Sequence, residues 1–252
     1  MGSFFSETQL KRYSRNITLD EVGIQGQQLF QNSKVLIIGA GGLGSPILMY
    51  LAACGVGTIG IADGDTVDYS NLNRQIIHRT ESIGINKVSS AKKALQDINP
   101  DVTINTYETM VVPDNIGKII KEYDIVVDAT DNFDAKFLIN DTCVLEEKPY
   151  IHAGVIGFEG QVMTILPKQT ACYRCLYSSP PSNKEIPTPS EVGILGVIPG
   201  VIGAIQATEV IKIILKKGNL LTDRLLFYNA LKMNFAVLDV KKKSNCQICG
   251  NT

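Results

Sequence analysis

The sequence lacks the marks of several protein classes. Its formal net charge is −1, so no basic excess draws it to nucleic acid or to an anionic membrane. Charged residues make up 19% and apolar residues 44%, an ordinary globular balance without a disordered tract. No internal repeat and no low-complexity segment is present, which sets repeat architectures aside. No secretory signal opens the chain, and no apolar run of about 18 residues is free of glycine and proline. The nearest approach, 192–215, is broken by Gly193, Gly196, Pro199, Gly200 and Gly203 and carries Gln206, Glu209 and Lys212. That pattern predicts a core helix rather than a membrane span. Residues 1–6, MGSFFS, fit the loose myristoylation pattern, although a frayed N-terminus is the simpler reading. These absences predict a cytoplasmic protein, and 252 residues suffice for one large domain with a real core.

What is present centres on Ser33 to Pro46, SKVLIIGAGGLGSP. Lys34 to Ile38 is a short β-branched run, the pattern of a buried strand in a parallel sheet. It runs into Gly39-Ala40-Gly41-Gly42-Leu43-Gly44, and a helical pattern follows through Ile47, Leu48, Leu51 and Ala52. Glycines let the turn be tight and let a phosphate approach the main chain. The helix N-terminus behind them offers N–H groups and partial positive charge. Asp63, at the end of the next strand (58–62), suits ribose hydroxyls. The context predicts a nucleotide-binding βαβ unit rather than a merely structural turn.

Six cysteines follow two patterns. Cys172-Tyr-Arg-Cys175 and Cys246-Gln-Ile-Cys249 form CxxC pairs, whereas Cys54 and Cys143 stand alone in helical patterns and read as small buried hydrophobes. Four thiolates can close a tetrahedral Zn²⁺ site with no position open to water, clipping the C-terminal segment to the domain. A redox dithiol and disulfides are the competing readings.

Along the rest of the chain, 6–17 reads as a helix with a capping-box start at Ser6 and Gln9, and 24–32 as a second. Strands are expected at 102–106, 124–130 and 150–155, with helices at 85–98, 115–121 and from 133 to about 146. Alternating strands and helices predict a Rossmann-like, doubly wound, mostly parallel α/β sheet, with Asp63 and Asp131 on the same edge as the Gly-rich turn. From residue 157 the pattern changes to antiparallel strands at 158–166, 224–228 and 233–240. Residues 178–190, rich in proline, read as an exposed loop. His152 could face the site, but a satisfied core histidine is the simpler reading; His78 suggests no role.

RYSRN (12–16), GAGGLGSP (39–46), DGDTVDYSNLNRQ (63–75), INKV (85–88), DATDN (128–132), CYRC, EVGILGVIPGVIGAIQATEVIKI (191–213) and CQIC occur in this order. Together they resemble the MoeB/ThiF/HesA family of sulfur-carrier-protein adenylyltransferases, bacterial relatives of ubiquitin-activating enzymes, over nearly the whole chain. The resemblance implies ATP- and Mg²⁺-dependent adenylation of the C-terminal glycine of a ubiquitin-like sulfur carrier, in molybdopterin, thiamine or related sulfur-transfer biosynthesis. It implies a single adenylation domain: N-terminal helices (1–32), a nucleotide-binding half (33–155) and a carrier-binding, zinc-clipped half (156–252).

By the same resemblance, Gly39, Gly41, Gly42 and Leu43 hold phosphate and Asp63 the ribose. Arg74 and Lys87 clamp the polyphosphate, Asp131 holds Mg²⁺, and Asn71 and Gln75 lie close by. Arg15 matches an arginine supplied across a homodimer interface, and Cys172, Cys175, Cys246 and Cys249 hold zinc. Many members carry a cysteine just before the segment that here starts at Glu191. This chain has Thr188-Pro189-Ser190, with Ser190 expected to cap the next helix. An external persulfide protein, rather than a rhodanese-like extension after residue 252, is therefore expected to supply the sulfur and to attack the acyl-adenylate directly. Two rival readings are an NAD-dependent oxidoreductase, which leaves Arg74, Lys87, Asp131 and the cysteine pairs unexplained, and a non-catalytic scaffold of the family.

Overall fold

The computed structural model describes residues 5–180 and 189–250. In chain order the strands are β1 (Lys34–Ile38), β2 (Thr58–Ala62), β3 (Thr103–Tyr107), β4 (Ile125–Asp128), β5 (Tyr150–Ile156), β6 (Glu159–Ile165), β7 (Arg224–Asn229) and β8 (Asn234–Asp239). Helices α1 (Glu7–Arg12), α2 (Ser14–Ile17) and α3 (Gly23–Asn32) precede β1. Helices α4 (Gly44–Cys54), α5 (Lys87–Ile98), α6 (Pro113–Ile120) and α7 (Phe133–Leu145) link the parallel strands. Helices α8 (Tyr173–Leu176), α9 (Pro189–Val192) and α10 (Val197–Leu215) lie between β6 and β7.

One sheet holds all eight strands in the order β3-β2-β1-β4-β5-β6-β7-β8. Pairs from β3 to β5 are parallel, and those from β5 to β8 antiparallel. Alternation of side chains across the pleat sorts β1 into two cores. Val35 and Ile37 pack under α3, α4, α5 and α10. Leu36 and Ile38 pack under α6, α7 and the cysteine knuckles. Both faces are covered, which is why these strands read as unbroken apolar runs.

The chain winds one way from β1 and the other way from β4, so a crevice opens between the ends of these two strands. Gly39 adopts φ +104° there, and a Cβ on it would sit 2.5 Å from the Ala129 carbonyl oxygen. Only glycine permits that approach. Helix α10 crosses α4 as closely: a Cβ on Gly203 would lie 2.5 Å from Pro46 Cγ and 2.7 Å from the Leu43 carbonyl.

Among the described residues α10 is the one helix long and apolar enough to cross a membrane, and half of its apolar window is buried within the fold. Its polar residues serve the core. Glu209, 2% exposed, accepts from Thr164 Oγ1 and from the Leu221 N–H at 2.8 Å and pairs with Lys212.

Some local expectations change. The single N-terminal helix is two, α1 and α2, broken at Tyr13 (φ −94°, ψ 8°). There the ring is buried and the hydroxyl accepts from Asn99 Nδ2 at 2.9 Å. The capping box at Ser6 and Gln9 is present. Cys143 is buried as expected, but Cys54 is only half-buried. Ser190 lies inside the short turn α9 rather than before it, and Thr188 lies outside the described residues, as does most of the loop expected over 178–190.

Candidate active site

The crevice widens into a cavity of about 1160 Å³, lined by Gly39, Gly41, Gly42, Leu43, Asp63, Arg74, Gln75, Lys87 and Asp131. The Gly-rich turn forms one wall, where α4 opens without a side-chain cap, so its N-terminal N–H groups and dipole face the space. Asp63 fixes this turn: one carboxylate oxygen accepts from the Ala40 N–H and the other from the Asp65 N–H, each at 2.8 Å.

Cations stand opposite. Lys87 is the first residue of α5, is 6% exposed, and pairs with Asp65 at 2.8 Å. Arg74 Nη1 donates to the Ser70 carbonyl and to Asn73 Oδ1, each at 3.0 Å, which holds the guanidinium against the cavity. Gln75 is buried, and its Oε1 has no partner among the described residues. A buried acceptor left unsatisfied is costly, so it suits a donor on a bound ligand.

Asp131 follows β4 by three residues and lines the same cavity. Its carboxylate is exposed and makes no hydrogen bond or ion pair among the described residues. The neighbouring Asn132 supplies the cap of α7 instead, accepting from the Ala135 N–H at 2.9 Å. A free carboxylate beside a phosphate-sized cradle is the donor set that suits Mg²⁺, which takes one or two carboxylates with substrate phosphates. The same cavity continues past Gly154, Gly160 and Gln161 to Glu159 and Phe227, under Gly193 and Ile194. Ile194 bridges to Gly157 there.

Two buried groups escaped the sequence reading. His78 bonds Ser90 Oγ through Nδ1 and the Ala40 carbonyl through Nε2, each at 2.9 Å. A carbonyl only accepts, so Nε2 carries the proton. Burial lowers the His78 pKa, the Ala40 bond opposes this and the Lys87 charge adds to it. His78 thus ties the Gly-rich turn to α5 as a neutral ring.

The second group is a cluster around Asp128, which is fully buried. Its Oδ2 meets Lys136 Nζ at 3.0 Å, Tyr150 OH at 3.1 Å and His152 Nδ1 at 3.2 Å. Burial opposes ionisation, but Lys136, His152 and Thr130 outweigh it and hold the carboxyl well below its usual range. His152 is a core histidine, its pKa lowered mainly by burial. It is satisfied on one side alone: Nε2 has no partner among the described residues, and the ring lies 4.2 Å from that of Tyr173.

Two expected site residues lie outside this cavity. Asn71 does not line it; its Oδ1 accepts from the Asp68 N–H at 3.1 Å and closes the turn before Arg74. Arg15 is exposed on α2 and does not line it either.

The cysteine pairs meet on the α7 side of the sheet. All four Sγ atoms lie within 4.8 Å of one another, with Cys172–Cys246 at 3.6 Å and Cys175–Cys249 at 3.4 Å. No disulfide joins them among the described residues. Zinc–sulfur bonds of about 2.3 Å in a tetrahedron put sulfurs roughly 3.8 Å apart, so the donor set fits that ion.

Comparison with known proteins agrees with this architecture. The model described as the ThiF family matches residues 13–248. The SAMP-activating enzyme E1 of Haloferax volcanii is 43% identical over 243 residues, covering 96% of this chain and 90% of that protein. The sulfur carrier protein adenylyltransferase of Thermus thermophilus is 39% identical over 252 residues, covering 98% and 93%. Several curated relatives named adenylyltransferase and sulfurtransferase are longer, and the chain spans 50–58% of their length. Among solved structures, E. coli MccB with ATP superposes with a TM-score of 0.84 at 25% identity, covering 95% of this chain and 75% of that one.

Proposed function

The chain belongs to the ThiF family, and from that premise we propose that it uses ATP to adenylate the C-terminal glycine of a ubiquitin-like sulfur-carrier protein. The observation that carries this reading is one cavity that gathers the Gly-rich turn, Arg74, Lys87 and Asp131 at the sheet's reversal point and is also lined by Gly154 and Gly160 of β5 and β6. One end has the charge pattern for a nucleotide triphosphate. The other, lined by Gly154, Glu159, Gly160 and Gln161, is where the carrier's C-terminal glycine would lie.

In the reaction a carboxylate oxygen of the carrier attacks the α-phosphorus of ATP, and the bond to pyrophosphate breaks. Two anions must meet, so the chain's task is to place them and cancel their repulsion. Gly41, Gly42 and Leu43 present main-chain N–H groups to phosphate oxygens, and Asp63 receives the ribose. Arg74 and Lys87 neutralise the departing pyrophosphate, and Lys87 leaves Asp65 to do so. Asp131 would hold Mg²⁺, which when bound supplies positive charge to the phosphate oxygens. Cys172, Cys175, Cys246 and Cys249 would hold zinc as a structural clip.

Arg15 reaches the site of a second copy in a homodimer, which accounts for its distance from the cavity of its own chain. An external persulfide protein consumes the acyl-adenylate, since Pro189-Ser190 supplies no thiol. The nicotinamide reading gives no work to Arg74, Lys87 or Asp131, and the scaffold reading predicts their loss.

Pyrophosphate–ATP exchange with a panel of carriers ending in Gly-Gly tests the proposal. Exchange should appear with one carrier and fall by at least about 100-fold in Arg74→Ala and Asp131→Ala. ATP binding with no exchange for any carrier favours the scaffold, and no ATP binding overturns the site itself.

A further inference from the structure

Lys136 is the fourth residue of α7, and its side chain runs back toward the helix N-terminus, as helix geometry dictates. Its Nζ has three N–H donors and three acceptors: Asp128 Oδ2 at 3.0 Å, the Thr130 carbonyl at 2.8 Å and the Ala153 carbonyl at 2.6 Å. The residue lines the nucleotide cavity, yet it has no donor left for a phosphate.

These bonds converge on one peptide. Asp128 Oδ1 accepts from the Thr130 N–H at 2.9 Å and from its hydroxyl at 2.6 Å. Lys136 holds the carbonyl of the same residue. Thr130 is thus pinned on both sides immediately before Asp131, and the Asn132 cap pins the chain immediately after it. The Asp131 side chain has no partner among the described residues, so its direction is set by its neighbours. We propose that Lys136 is a positioning residue for the Mg²⁺–ATP site: by tying the end of β4 to β5 it aims the Asp131 carboxylate, and it does not bind phosphate. This rests on the reading of Asp131 as the Mg²⁺ carboxylate.

Removing Lys136 alone strands the buried Asp128 charge and endangers folding. The double variant Asp128→Asn/Lys136→Met removes both charges, keeps the net charge and leaves an acceptor for Thr130. It therefore isolates the loss of the tie. The measurement is ATP affinity by calorimetry, once in Mg²⁺ and once in EDTA, on the full chain, with the melting temperature as a control.

In the double variant the strengthening of ATP binding by Mg²⁺ should fall by about tenfold, the scale seen when groups that orient a metal ligand are lost. Affinity in EDTA should change by less than about twofold, and Lys136→Arg should stay close to the unaltered chain. Weakening in EDTA as much as in Mg²⁺ identifies Lys136 as a phosphate ligand and overturns the proposal. A lower melting temperature with both affinities intact leaves it a core charge and overturns it too. Asp131→Asn, run alongside, separates the two readings. If it retains the full Mg²⁺ effect, the Asp131 reading falls and takes the proposal with it. If it loses the effect while the double variant does not, the proposal alone falls.

Discussion

His78 and His152 make acid sensitivity a property of single residues. Both are buried and hold their rings neutral, with pKa values below the ordinary 6.5. Below that value the unfolded chain takes up protons that the folded chain resists. Stability therefore falls as pH drops through 6.5 toward the folded values, with a slope of up to about 1.4 kcal/mol per pH unit for each proton. Asp128 adds to the loss at still lower pH, because its stabilisation is present above the usual carboxylate range and disappears as it is protonated. Calorimetric melting between pH 7.5 and 5.5 should show the fall, and His78→Gln should flatten it by one histidine's share. Equal slopes in the two proteins would mean that His78 is charged or exposed in the folded state.

At the scale of elements, α10 acts on the Gly-rich turn through contact alone. Gly203→Ala should cost about 1–3 kcal/mol in urea unfolding and weaken ATP binding, because the Leu43 carbonyl it would press belongs to that turn. Destabilisation with unchanged ATP affinity would break the link between helix packing and the turn.

The elements themselves were largely legible. Burial on both faces leaves β1 and β4 as continuous apolar runs, and the change to antiparallel pairing is visible as alternation from Glu159 onward. The break at Tyr13 was not, because it depends on Asn99, 86 residues away. Of the expected residues that line the cavity, Gly39 and Asp63 follow from the local strand–turn–helix pattern, whereas Lys87 was suggested by the resemblance alone. Lys136 was missed because a lysine in a helix normally faces solvent. The available signal was Asp128: a carboxylate ending a fully buried strand requires a cation, and Lys136 is one helical turn from the loop that follows.

For the whole molecule, the cysteine knuckles join Cys172 to Cys246 across 74 residues, so bound metal closes β7, β8 and α10 into a loop. By the loop-closure relation such a link contributes about 4 kcal/mol, or about 10 °C in melting temperature for a chain of this size. Elemental analysis should give one zinc per chain, and Cys246→Ser should lose the metal and melt lower by about that amount. A metal-free protein that melts as before would leave the four thiols without a structural role.

Strand β8 finishes the sheet with all six side chains exposed and, among the described residues, pairs only with β7. An open edge is a template for fibre growth from identical chains. Lys232 precedes the strand, and Lys241, Lys242 and Lys243 follow it. Two copies meeting edge to edge in parallel set each lysine group against its own counterpart, and in antiparallel they set Lys232 against the triplet. Either way like charges face each other, so these gatekeepers let the chain keep an unpaired edge in solution without stacking upon itself.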